Sequence, residues 1–301
     1  MRVTNRQILN LVTRNVSVSS NKLLKAQERL STLKVINRPS DDPIGMRGIL
    51  DYRKRIDSIN QYMRNITSAK TRVEVTESNL EKLHELLNTA KDIAKGSLGE
   101  DEFGRDTAAE QVGNLRDQIL DIANARLSGS YIFAGNATDT TPFTKDPVTE
   151  VVTYNGDDGE QQTILGEGMT LRINAHGDEV FTGATVADGE DIFDALKDLK
   201  DELSLPESDT GDIQDLISRI NKGISQVESV LSQQSAAYKR LDQTEDYWNY
   251  LKFKFESVLS KTEDADAAQV TVELKAQETA YEMALAAASD VLKRNLMEFL
   301  R

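Results

Sequence analysis

The chain contains no cysteine. Disulfides, zinc–thiolate sites, iron–sulfur clusters and cysteine nucleophiles are therefore excluded. Proline is also scarce: Pro39, Pro43, Pro142, Pro147 and Pro206 are the full set. None lies between 44 and 141 or after 206, so two long stretches lack the residue that most strongly breaks helices. No apolar run approaches the ~20 residues of a membrane span. The N-terminus, Met1-Arg2-Val3-Thr4-Asn5-Arg6, leads into no continuous apolar stretch, so no cleavable secretory signal is expected. Only 39% of the 301 residues are hydrophobic, while 29% are charged. That balance disfavours one thick core and favours long helices with narrow apolar stripes. The net charge of −14 argues against non-specific nucleic-acid binding.

What is present is periodicity. Ile59, Tyr62, Ile66, Ala69, Val73, Thr76, Leu80, Leu83, Leu87, Ala90 and Ala94 recur at alternating steps of three and four. This is a coiled-coil-like seam, and it predicts a rod of about 54 Å at 1.5 Å per residue. A shorter run holds Ala108, Val112, Leu115, Ile119 and Ile122. The distal proline-free stretch repeats the signature through Ile213, Ile217, Ile220, Ile224, Val227 and Leu231. It continues less regularly through Leu241, Trp248, Leu251, Phe255 and Val258.

The middle is different. Nine of the 17 glycines fall between Gly129 and Gly189, among β-branched segments such as Val151-Val152-Thr153-Tyr154 and Met169-Thr170-Leu171-Arg172-Ile173. Asn155-Gly156 is a strong hairpin-turn signal. Between Asp139 and Asp215 stand 20 acids and 4 bases, which reads as a water-facing surface. Asp188 to Leu203 looks helical, with Ile192, Phe193, Leu196 and Leu199 on one face. The expected fold is mainly α: a long antiparallel coiled-coil-like helical rod with an inserted small antiparallel β domain. The boundaries are an N-terminal assembly segment (1–44), the rod (45–130 and 207–262), the β-rich outer insertion (131–206) and a C-terminal assembly helix (263–301). The insertion should be dispensable for folding of the helices.

The two ends carry stripes that neither can bury alone. Ile8, Val12 and Val16, then Leu23, Leu30 and Leu33, mark the first; Tyr281, Leu285, Ala288, Leu292, Leu296 and Phe299, with Leu300, mark the second. Packing the ends against each other and against the long central helices is the simplest solution, and Ile8, Val12, Val16, Leu285, Leu292, Leu296, Phe299 and Leu300 are the candidate assembly interface. One local motif is specific: Arg38-Pro39-Ser40-Asp41-Asp42-Pro43. Asp42 before Pro43 is a good N-cap with proline at the first helical position. Pro39 is expected to stop the preceding helix, making a stiff reversal.

Catalytic chemistry finds little to stand on. There is no phosphate loop and no HExxH pair. Gly166-Glu167-Gly168 starts a dinucleotide-like pattern, but Leu171 occupies the third glycine position. His84 and His176 are far apart in sequence. Asp157-Asp158-Gly159-Glu160 and Asp188-Gly189-Glu190-Asp191 lack the ligand spacing of a calcium loop and read as turn acids. No catalytic, cofactor-binding or metal residue is assigned, and the protein is not expected to be an enzyme.

The run Leu30-Ser31-Thr32-Leu33-Lys34-Val35-Ile36-Asn37-Arg38-Pro39-Ser40-Asp41-Asp42-Pro43 resembles the N-terminal signature of the bacterial flagellin family. Its Pro-Ser-Asp-Asp-Pro form is similar to the branch found at the hook–filament junction rather than to filament flagellins. Ala123-Asn124-Ala125-Arg126 followed by Gly129-Ser130-Tyr131-Ile132-Phe133-Ala134-Gly135 resembles that branch's helix-to-β transition. The stretch from Glu263-Asp264-Ala265-Asp266 to Leu296-Met297-Glu298-Phe299-Leu300 resembles the family's C-terminus. The resemblance implies a structural adaptor, or alternatively a minor flagellin building the filament itself. It implies hook-associated protein 1, flagellin, further copies in a ring layer and an export chaperone as partners, with no nucleic acid and no membrane. It also implies an extracellular place in the flagellum, reached by type III export without a cleaved signal, and terminal segments that order only on assembly.

Overall fold

The computed structural model describes the backbone of residues 2–98, 102–205 and 210–299, and the side chains of 6–98, 103–205 and 210–293. Among the described residues six α-helices form: α1 (Arg2–Thr32), α2 (Pro43–Gly96), α3 (Glu102–Ala123), α4 (Ile192–Leu203), α5 (Thr210–Glu263) and α6 (Ala267–Phe299). Six short strands, β1 (Arg126–Leu127), β2 (Ser130–Tyr131), β3 (Phe143–Lys145), β4 (Val152–Tyr154), β5 (Gln162–Gly166) and β6 (Met169–Arg172), lie between α3 and α4. The fold is thus the expected one, long helices carrying a small antiparallel β region. The chain divides into two compact units: Met1–Ser58 with Tyr250–Arg301, and Ile59–Asn249.

In the Ile59–Asn249 unit the predicted seam is the buried seam. Ten of its eleven positions are buried and Tyr62 is half-buried. Thr76, its polar member, satisfies its hydroxyl by donating to the Arg72 carbonyl at 2.9 Å. α2 and α5 run antiparallel: as α2 advances from Lys70 to Glu74, Glu77 and His84, the α5 partners retreat from Asp242 to Tyr238, Ser235 and Glu228. The α5 seam departs from the expected sequence at one point. After Val227 the buried position is Val230, not Leu231, and the line continues through Gln234, Ala237 and Leu241. Two consecutive three-residue steps locally overwind the seam. Beside that slip, Gln226 turns inward and donates to the Val180 carbonyl at 2.9 Å while accepting from the Glu190 amide at 3.1 Å. Here α5 packs on more than α2, which a two-helix periodicity does not anticipate.

The β region is three separate two-stranded antiparallel sheets, β1–β2, β3–β4 and β5–β6. Asn155-Gly156 does not make a hairpin turn. β3 pairs with β4 in the register Phe143 with Tyr154 and Lys145 with Val152, so the reversal lies before β4. Asp146 builds it by accepting from the amides of Val148 and Thr149, both at 2.8 Å, with Glu150 at φ 57° closing the turn. Asn155 instead leads out of the strand. Ile132 and Phe133 are buried loop residues rather than strand, and Asp178–Thr182 is one π-helical turn.

Phe143 and Phe181 (5.0 Å between ring centroids), Phe133 and Phe193 form an aromatic cluster. It belongs to one continuous core with Leu80 to Ala94 of α2, Val112 to Ile119 of α3 and Ile213 to Val230 of α5. The expectation that the insertion is separable from the helices is therefore corrected: both halves bury the same apolar surface. A smaller cluster seats Leu165 of β5 on Ile66, Ala69, Val73 and Leu241. Trp248 Nε1 donates to the Leu165 carbonyl at 2.7 Å and Asn65 to the Ile164 carbonyl at 3.0 Å, fixing that hairpin on α2 and α5. Arg116, fully buried, pairs with Glu150, which Lys200 also holds at 2.9 Å. Hydrogen bonding from Lys200 keeps the Glu150 carboxyl below its ordinary value despite partial burial.

Candidate assembly interface

The unit formed by Met1–Ser58 and Tyr250–Arg301 holds the sequence-predicted site residues whose positions are described. α1 and α6 pack against each other. Ala26 and Val270 are buried there, and Arg29 meets Glu273 at 3.5 Å. Val12, Val16, Leu23 and Leu30 are half-buried. Ile8 remains 38% exposed, Leu285 43% and Leu292 46%. Leu296 and Phe299 continue α6, their side chains outside the described set, and Leu300 lies outside the described residues.

A second apolar edge lies beside the stripe expected from the sequence. Leu11 and Val18 stand open on α1 one heptad apart, as Leu285 and Leu292 do on α6, and Met283 is 66% exposed. The paired helices thus keep apolar rows on their outer sides. The sequence stripe drew attention to one face of α1; Leu11 and Val18 sit beside it and could have been found by testing each heptad position separately.

The reversal between α1 and α2 is built by side chains. Asp41 accepts from the Arg38 amide at 3.0 Å, and the Asp41 amide returns to the Arg38 carbonyl at 2.9 Å. Amide donation from Arg38 holds the Asp41 carboxyl below its ordinary range; desolvation opposes this, and Asn37 and Lys25 add to it. Arg38 also reaches Glu28 at 2.9 Å. Asp42 accepts from the Ile44 amide at 3.0 Å, with Pro43 opening α2, as N-capping chemistry requires. Gly45 leaves room for this packing, since a Cβ there would press on the side-chain ends of Asp42 and Ile36. Pro39 and Ser40 are exposed.

Pro39 does not end α1. The helix ends at Thr32, and Leu33 takes a left-handed conformation at φ 53°. Its carbonyl accepts from the Ala265 amide at 2.8 Å, and the Val35 amide donates to the Glu263 carbonyl at 2.7 Å. The chain after α1 is thus tied to the short link between α5 and α6. Glu263, buried, lies against both Lys34 and Arg53. Burial alone would raise its pKa; hydrogen bonds from Lys34 and Arg53 reverse this and hold it below the ordinary carboxylate value. Asp266 then caps α6 through the Ala268 amide at 2.8 Å. Sequence reading named Glu263 and Lys34 only as parts of motifs, since nothing local signals a contact between chain ends.

Outside this surface, Asp157 spends one carboxylate oxygen on the amides of Asn136 and Gly159, at 2.6 and 3.0 Å. Asp191 caps α4 through Phe193 and Asp194. Among the described residues, no group of three or more His, Asp and Glu side chains stands together to hold a metal ion, and no helix is long and apolar enough to cross a membrane.

Residues 4–138 match the bacterial flagellin N-terminal helical region. Flagellar hook-associated protein 3 of Escherichia coli K12 is 28% identical over 190 residues, 62% of this chain and 58% of that protein's length. A flagellin of Clostridium tyrobutyricum is 30% identical over 126 residues, 41% of this chain and 33% of its own. The solved flagellar junction protein FlgL of Legionella pneumophila superposes with a TM-score of 0.61 at 16% identity, covering 73% of this chain and all of that one. The matched region thus spans under two thirds of the length of the hook-associated relative.

Proposed function

We propose that the chain is a member of the bacterial flagellin family, whose N-terminal helical region residues 4–138 match, and that it is a structural adaptor joining the flagellar hook to the flagellin filament. Hook-associated protein 1 on one side and flagellin on the other are its partners in this reading, with further copies beside it in a ring layer. The observation that carries it is the helix pair α1–α6, which keeps Leu11, Val18, Leu285 and Leu292 open at heptad spacing. Apolar rows of that period are completed by other helices. The assembly segments are residues 1–44 and 263–301, with Ile8, Val12, Val16, Leu285, Leu292, Leu296, Phe299 and Leu300 as contact residues. The motif Arg38 to Pro43 sets where α2 departs. The stretch 45–130 with 207–262 is the helical body, and 131–206 is the outward face. Before assembly an export chaperone covers the open rows, and the protein leaves the cell by the flagellar type III route. Its role is mechanical rather than catalytic.

A minor flagellin is the second reading, supported by the shared segment with Clostridium tyrobutyricum flagellin. Immunogold labelling of purified flagella separates the two. The adaptor gives one narrow band where hook meets filament; label along the filament would establish the second reading instead.

A further inference from the structure

Asn155-Gly156 is the strongest turn signal in the sequence, yet it makes no hairpin, and it is the chain's one Asn-Gly pair. Asn155 is exposed, and Gly156 offers its nitrogen no steric shield from a side chain of its own. Two Asp-Gly pairs, Asp158-Gly159 and Asp188-Gly189, could undergo related chemistry. In both of them the glycine amide is engaged. The Gly159 amide donates to Asp157 Oδ1 at 3.0 Å, and the Gly189 amide to the Val186 carbonyl at 3.0 Å. Among the described hydrogen bonds, the Gly156 amide donates to nothing, although its neighbours Asn155 and Asp157 donate to Pro142 and Ala134 at 2.7 and 3.3 Å.

We propose that Asn155 is a site of spontaneous deamidation in the folded protein. The deprotonated Gly156 nitrogen attacks Asn155 Cγ, forming a C–N bond. The Cγ–Nδ2 bond breaks and ammonia leaves, giving a five-membered succinimide. Water then opens the ring at either carbonyl, producing aspartate or isoaspartate. Glycine at 156 serves two purposes, because a Cβ there would also overlap the Tyr154 ring. Each event adds one negative charge beside Asp157 and Asp158. The isoaspartate product lengthens the main chain between Tyr154 and Gly156. That displaces Asp157, whose carbonyl accepts from the Tyr154 hydroxyl at 2.9 Å. Material standing for a long time outside the cell would accumulate this change irreversibly.

The test is to hold the purified full-length chain at mildly alkaline pH and 37 °C, folded and in urea, and to follow it by peptide mapping. Fragmentation that distinguishes isoaspartate from aspartate completes the readout. The expected result is a mass gain of one unit at Asn155 in the folded chain before any other asparagine changes. Isoaspartate at Asp158 and Asp188 should form more slowly folded than in urea. Asn155→Gln, which would need a larger ring, should abolish the gain. An Asn155 that stays intact when folded while converting in urea, or another asparagine that converts first, would overturn the proposal.

Discussion

Lys34 pairs with Asp264 in an isolated antiparallel bridge that joins the chain just after α1 to the link between α5 and α6. The bridge sits beside the buried carboxylate of Glu263, held by Lys34 and Arg53. The two ends of the chain are therefore clamped at one point by both backbone and charge, and the clamp fixes where α1 and α6 begin to pair.

Glu263→Gln should weaken this unit. The variant keeps the volume but leaves Lys34 and Arg53 facing a neutral group, and hydrogen bonds to charged groups contribute about 1.5–3 kcal/mol each. The folded carboxyl sits below 4.5, so its stabilisation is full above that value and is lost as pH falls through the folded pKa. Denaturant titrations of both proteins should show a gap that is largest near neutral pH and shrinks on acidification. A gap independent of pH would mean that volume, not charge, matters there.

Leu33→Gly should cost little or stabilise. Leu33 is 48% exposed, so little apolar burial is lost, while a left-handed residue with a Cβ costs roughly 1–2 kcal/mol. Greater freedom in the unfolded chain offsets part of the gain. A rise of up to about 1 kcal/mol in unfolding free energy is expected, and a clear loss would show that the Leu33 side chain packs productively.

Asp191 gives a pH effect of opposite sign. Burial, with the charges of Asp194 and Glu190, pushes its carboxyl up to about 6 against the amide bonds from Asp194 and Phe193. Its contribution is full below 3.8 and is lost as pH rises through about 6. Asp191→Asn keeps the capping acceptor without the charge. Thermal melts should show the variant gaining on wild type between pH 4 and pH 7; parallel curves would remove the effect.

How much of this was legible depends on the range of the interaction. The α2 seam was readable because α-helical periodicity is written in every turn, and Ile59 to Ala94 face one partner throughout. The α5 seam was readable as far as Val227, then slipped where Gln226 engages the π-helical turn from a distant segment. Asn155-Gly156 misled because the Asn155 amide is recruited by the Pro142 carbonyl and the following Asp157 amide by that of Ala134, a tertiary demand that overrides local turn preference. The Asp146-Pro147 turn was equally local but lacks glycine. The clamp of Glu263 was invisible because its partners come from the other end of the chain.

The shared core reverses one expectation about the insertion. Replacing 136–206 with a short flexible linker removes Phe143, Phe181 and Phe193 from the core they share with Leu80, Val112 and Ile224. Circular dichroism should show reduced helicity and a broadened, lower melt. A sharp melt at the wild-type temperature would mean that α2, α3 and α5 suffice for the core.

The last prediction tests the open rows directly. Leu285 and Leu292 remain about half exposed after α1 and α6 have paired, and Leu296 and Phe299 continue the same helix. Burying one such side chain is worth about 1.5–3 kcal/mol, so a segment carrying several gains most of its stability from a neighbour. Deleting residues 292–301 should leave the melting of the Ile59–Asn249 unit unchanged, because none of its core residues is removed. In the cell the truncation should abolish attachment: hooks are completed, flagellin is shed into the medium, and swimming is lost. The measurements are motility, a medium assay for flagellin, and a melt of the purified truncated protein. Filaments of normal length on the truncated strain would remove these residues from assembly, and a large drop in melting temperature would place them in the folded core instead.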